Sequence, residues 1–250
     1  MDPAITQTLP PASGASEPPA RKAPALKPRH AATLILLDRS RKRLRVLMGR
    51  RNARLAFMGG KFVFPGGRIE PTDRKMPVMG ALPGRSEAAL AARVARASGD
   101  LGRILALAAI RETFEETGLM LGTRDYGSPD SVPEGPWTAF RDEGVLPDLE
   151  ALSLVARAIT PPGRPRRFDT RFFVADRRSI AVERAGIVGP DSELTELAWV
   201  GLDEARQLDL PRITRAVLDD LEAAAGADFA PHLPIPFYFE RYGKGQRELL

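Results

Sequence analysis

The run Arg111-Glu112-Thr113-Phe114-Glu115-Glu116-Thr117-Gly118-Leu119 places three carboxylates at i, i+3 and i+4. At about 100° per residue, Glu112, Glu115 and Glu116 share one helical arc of roughly 100°, and Leu107, Ile110 and Phe114 lie opposite. Like charges on adjacent turns repel by roughly 0.2–0.5 kcal/mol per pair. A divalent cation relieves that repulsion, because hard carboxylate oxygens suit Mg2+ or Mn2+. An acidic helix face is often only a solvated face, so the rest of the chain must decide between the two readings.

Phe64-Pro65-Gly66-Gly67-Arg68-Ile69-Glu70-Pro71 reads as a short strand entering a glycine turn. Paired glycines let a backbone or a phosphate approach where a Cβ would intrude. Gly118 suits a left-handed cap at the end of the acidic helix. Asp100 is the candidate N-cap, giving a helix from about Leu101 to Thr117.

Strands are expected at 32–37, 44–48 and 61–64, then at 153–159, 170–175 and 197–200. Helices are expected over 202–208 and 211–225, with Pro211 near the first turn of the second. Between the glycine turn and the acidic helix, residues 74–84 carry Pro77, Gly80, Pro83 and Gly84 and read as a loop. Ser86 then caps an expected helix from Glu87 to about Ala97, too short to bury a core of its own. Strands interleaved with a few helices suit an α/β/α sandwich.

Together the two segments resemble the Nudix box, G-x5-E-x7-R-E-U-x-E-E-x-G-U with U aliphatic. Gly67 supplies the first glycine, and Arg111, Glu112, Glu115, Glu116, Gly118 and Leu119 match the second half. Asp73 stands where the box has its first glutamate, Thr113 replaces an aliphatic residue, and the spacer 74–110 holds 37 residues instead of seven. The resemblance implies a Nudix-type α/β/α sandwich with a mixed central sheet and a helical insert, about 74–100, inside the box. Residues 1–30, rich in Pro and Ala, are expected to form a disordered tail, and 31–250 a single domain.

The long insert, the run Ala109 to Glu116 and the segment Pro165-Arg166-Arg167-Phe168-Asp169-Thr170-Arg171-Phe172-Phe173 are similar to the coenzyme A diphosphatases of peroxisomes and their bacterial relatives. That branch implies cleavage of CoA or acyl-CoA to 3′,5′-ADP and 4′-phosphopantetheine. A spaced-arginine signature ahead of Phe64-Pro65-Gly66-Gly67 is met at Gly60, whereas Ala56 stands where it has arginine. The alternatives within enzymes are NADH, an ADP-sugar or an oxidised nucleotide. The alternative outside enzymes is a non-catalytic sensing or RNA-binding module, which would tolerate loss of the acidic residues retained here.

The resemblance implies that Glu112, Glu115 and Glu116 hold Mg2+ or Mn2+, that Glu115 and Glu116 act in catalysis, and that Arg111 orients a box glutamate. Metal-bound carboxylates are weak bases, so a further carboxylate is expected to serve as general base. Glu193 and Glu196, ahead of the Trp199 strand, are the candidates. Gly66, Gly67, Arg166, Arg167 and Arg171, with neighbouring Arg164, are candidate substrate contacts, since guanidinium groups bind phosphate bidentately. Phe237, Tyr238, Phe239 and Tyr242 are read as a tail packed over the domain, with stacking on adenine as the other option. His30 and His232 fall in a tail and a proline-rich segment, so histidine catalysis is not expected.

The formal charge of +5 comes mainly from arginine and fits a small polyanion; no basic–aromatic pattern marks a nucleic-acid platform. The absence of cysteine excludes disulfides and thiolate metal sites. With no 18-residue apolar run and no signal-like N-terminus, a cytoplasmic protein without a membrane partner is expected. A homodimer paired through the sheets is compatible with the resemblance.

Overall fold

The computed structural model describes residues 26–250 other than Arg96, Pro231 and His232. Its strands and helices, in chain order, are β1 (Arg29–Asp38), β2 (Arg45–Arg51), β3 (Phe62–Val63), β4 (Gly66–Arg68), α1 (Gly84–Ala91), α2 (Leu101–Thr117), β5 (Leu119–Leu121), α3 (Pro136–Asp142), β6 (Ser153–Ile159), β7 (Phe168–Asp176), β8 (Ile180–Glu183), β9 (Leu194–Gly201), α4 (Leu202–Gln207), α5 (Arg212–Gly226), β10 (Pro236–Arg241) and β11 (Lys244–Leu249). The main sheet runs β11-β10-β6-β7-β1-β2-β3, with β4 against β1 and β9 against β2. The pairs β1–β7 and β6–β10 are parallel and the others antiparallel, so the sheet is mixed. β5 and β8 form a separate ribbon.

β1 shows why the sheet is covered on both sides. Its near-continuous apolar run sends Ala32, Leu34 and Leu36 into one core and Ile35 and Leu37 into the other. Such a run marks a strand with no solvated face. The first core lies under α1, α2 and α3, and the second under α4 and α5. The outcome is the expected α/β/α sandwich. No helix among the described residues is long and apolar enough to cross a membrane.

α2 has the expected bounds, and Gly118 ends it in the left-handed region at φ 80°. Its acidic side is only partly solvated: Glu116 is buried, Glu112 partly buried and Glu115 exposed, while Ala106 to Ile110 are fully buried. Asp100 precedes the helix without a side-chain capping bond. The insert helix is shorter than expected. It spans Gly84–Ala91, and Ser86 lies inside it, where its Oγ accepts from Leu154 N at 3.0 Å and docks α1 on β6. The chain turns extended at Ala92, whose carbonyl is taken by Arg157 Nη1 at 2.7 Å.

β1 begins at Arg29, ahead of the strand expected at 32–37 and within the expected tail, of which residues 1–25 lie outside the described residues. α3, the β5–β8 ribbon and the β10–β11 hairpin had no counterpart among the expected elements. The C-terminal aromatics belong to that hairpin: Phe237 is in the core, Tyr238 bonds Asp220, and Tyr242 is exposed.

Candidate active site

Arg111 is the hub of the site. It is 1 % exposed and directs every guanidinium hydrogen at an oxygen. Nε donates to Asp73 Oδ1 at 2.7 Å, and Nη2 donates to Asp73 Oδ2 at 3.2 Å and to Arg68 O at 2.8 Å. Nη1 donates to Glu112 Oε1 at 3.0 Å and Glu115 Oε2 at 2.6 Å. Burial pulls the Arg111 pKa down, but its bond to Asp73 and the charges of Asp73, Glu112 and Glu115 outweigh that and raise it. One guanidinium thus faces three carboxylates.

Asp73, fully buried in a helical turn at Asp73–Lys75, also accepts from Glu70 N at 2.7 Å. The insert therefore loops out without separating the two halves of the box. The shorter aspartate reaches Arg111 because this turn carries it beneath α2. Thr113, in the position of an aliphatic residue, is fully buried and donates its hydroxyl to Ala109 O at 2.7 Å.

The glycine turn abuts the remaining carboxylates. Gly66 N donates to Glu116 Oε2 at 3.2 Å. A Cβ on Gly67 would stand 2.3 Å from the Glu112 carboxyl, and one on Gly66, at φ 156°, would stand 2.4 Å from Ala32 O. Close approach of backbone thus requires glycine at Gly66, and a side chain at Gly67 would displace the Glu112 carboxyl. Glu116 is 6 % exposed, and its pKa is pushed up to about 8, first by burial and then by Glu193 and Glu112. Burial likewise raises Glu112, with Arg111 opposing and Glu115 and Glu193 adding to the rise.

Glu193 immediately precedes β9, half exposed, with Oε1 2.8 Å from Arg51 Nη1. Its charge adds to the upward shift of both Glu112 and Glu116. Glu196 lies within β9, half exposed and 3.9 Å from Arg50.

Among the candidate substrate arginines, Arg164 and Arg166 are exposed on the loop before β7. Arg167 is held by Thr160 O at 3.0 Å and Leu26 O at 2.6 Å. Arg171 corrects the expectation drawn from that run. It is fully buried on the same face as Asp169 and Phe173, where Asp169 Oδ2 lies 2.9 Å away and His30 Nδ1 3.0 Å away. Asp169 is also gripped bidentately by Arg157, at 2.9 and 2.8 Å. His30 is accordingly a strand residue in a buried charged cluster, and burial followed by Arg171 lowers its pKa. His232 lies outside the described residues.

The donor set bears on metal binding. Among the described residues, no three carboxylate or imidazole side chains converge closely enough to encage an ion as they stand. Arg111 draws Glu112 and Glu115 to itself, while Glu116 points at the glycine turn. The chemistry still fits a hard divalent cation, because the carboxylates Glu112 and Glu115 share the single guanidinium of Arg111 with Asp73.

A family model described as NUDIX domain matches residues 27–221, and the chain belongs to that family. It is 29 % identical over 183 residues to the putative nudix hydrolase 7 of Caenorhabditis elegans, covering 69 % of this chain and 51 % of that one. It is 32 % identical over 178 residues to the acyl-coenzyme A diphosphatase NUDT19 of Gallus gallus, covering 52 % and 47 %. The chain thus spans about half the length of these curated relatives. The crystal structure of a NUDIX hydrolase from Alicyclobacillus acidocaldarius superposes with a TM-score of 0.59 at 28 % identity, over 83 % of this chain and 96 % of that one.

Proposed function

We propose that this protein is a metal-dependent diphosphohydrolase that cleaves a nucleoside diphosphate linked to another moiety, with CoA or acyl-CoA as first substrate. The carrying observation is the carboxylate pair of partly buried Glu112 and buried Glu116, set against a two-glycine turn and sharing charge coupling with Glu193. Similarity to an acyl-coenzyme A diphosphatase supports the CoA choice, as does the sequence segment 165–173.

A diphosphate resists water because its anionic oxygens shield phosphorus. Mg2+ or Mn2+ held by Glu112, Glu115 and Glu116 would supply the charge neutralisation that this chemistry needs. Arg111 fixes the directions of Glu112 and Glu115 and is itself held by Asp73. Glu193 is the group assigned to take the proton of the attacking water, since its charge acts on Glu112 and Glu116 while it does not belong to the box. Gly66 and Gly67 let the turn close onto Glu116 and Glu112, and exposed Arg166 together with Arg167 is assigned to the substrate's remaining charge.

Product analysis with Mg2+ against CoA, acyl-CoA, NADH, ADP-ribose and dNTPs tests this reading. Release of 3′,5′-ADP from CoA is the expected result. Turnover of another compound alone would discard the CoA assignment, and binding without turnover of any would favour a sensing module.

A further inference from the structure

Between the end of β8 at Glu183 and the start of β9 at Leu194, the chain makes a long irregular connection, and Glu193 is its last residue. Such a segment does not by itself hold a side chain to the accuracy that proton transfer demands. Asn52, which follows β2, supplies the missing restraint. It is 9 % exposed, and its backbone N donates to Glu193 O at 2.8 Å. Its Nδ2 donates to Pro190 O at 3.0 Å and to Ser192 O at 3.1 Å. Its Oδ1 accepts from Arg54 N at 3.1 Å.

One buried amide thus takes two carbonyls of the connection, and its own backbone takes a third. The preceding residue completes the grip: Arg51 Nη1 lies 2.8 Å from Glu193 Oε1, while Arg51 Nε donates to Phe57 O at 3.2 Å. The β2–β9 register shifts between Arg50 and Arg51, which re-aims the chain at this point. Only a carboxamide satisfies the arrangement, with two N–H groups for two carbonyls and one oxygen for a backbone N–H. Aspartate would turn an anion toward those carbonyls, and serine has a single donor.

We infer that Asn52 is a positioning residue for hydrolysis, clamping the 190–193 segment and with it the direction in which Glu193 is held. The inference rests on the reading of Glu193 as general base. Its test is a double-mutant cycle of Asn52→Ala and Glu193→Gln, measured as kcat and KM on whichever of CoA, NADH and ADP-ribose the wild type cleaves fastest with Mg2+.

The expected result for Asn52→Ala is a kcat loss of roughly 10²-fold, the scale of a small misplacement at a reacting centre, with KM little changed. The double variant is expected to be no slower than Glu193→Gln alone, because Asn52 acts through Glu193. Losses that multiply, or a wild-type kcat in Asn52→Ala, would overturn the clamp. A wild-type kcat in Glu193→Gln would instead remove Glu193 from the mechanism, and the positioning role with it. Asn52→Ser, which keeps one donor, serves if the alanine variant does not fold, and its expected kcat lies between the two.

Discussion

Replacing Glu116 by glutamine turns the electrostatics of the site into a measurable stability. The carboxyl is ordinarily half-ionised at pH 4.5, and in the fold burial, then Glu193 and Glu112, push its pKa up to about 8. The folded protein therefore keeps a proton that the unfolded chain has already released. That contribution to stability is fully present below pH 4.5 and is lost as pH rises toward about 8. At about 1.4 kcal/mol per pH unit the gap comes to roughly 5 kcal/mol, and structural relaxation reduces it to about 3–5 kcal/mol. Glutamine can still accept from Gly66 N but never ionises. Thermal unfolding in EDTA from pH 5 to 9 should show the two proteins nearly matched at the acid end. At pH 8.5 the variant should lead by roughly 10 °C, given about 2–4 °C per kcal/mol for a chain of this size. Mg2+ should then narrow the gap by stabilising the wild type alone. A difference that is flat with pH, or that favours the wild type at high pH in EDTA, would refute the reasoning.

Other substitutions probe the hub. Arg111→Ala leaves fully buried Asp73 without its partner and should cost about 3–5 kcal/mol in urea denaturation, with Arg111→Lys recovering only part because the forked contact is lost. Asp73→Glu restores the usual box residue in sequence but adds a methylene to a closed site, so it should destabilise by about 1–3 kcal/mol and not raise activity. Gly67→Ala places its Cβ against the Glu112 carboxyl and should lower kcat by roughly 10²-fold while circular dichroism stays native.

The acidic helix was legible because a long 3.6-residue pattern and a glycine stop agree, and β6 because a short run of apolar and β-branched residues has clear turns at both ends. α3 was missed although Gly135-Pro136 precedes Trp137 and Phe140 at helical spacing, since seven residues carry little periodic signal. β5 has three residues and exists through its pairing with β8, which no local pattern reveals. Arg171 falls in the expected strand at 170–175 and belongs by type to a basic run that suits phosphate. Strand alternation, however, puts it on one face with Asp169 and Phe173, and an acid and an aromatic flanking an arginine there are the available sign of burial. The Asp73–Arg111 pair and the Asn52 clamp depend on chain closure over long separations, so their distances had no trace in the sequence. The box glutamates were readable as a cluster, but their division between Arg111 and the glycine turn was not.

Phosphorus NMR of CoA incubated with the protein and Mg2+ tests the central claim most directly. The account predicts that the diphosphate resonances give way to phosphomonoesters with the wild type and persist with Glu116→Gln. Cleavage that survives Glu116→Gln, or a wild type that leaves CoA and every other diphosphate intact, would contradict it.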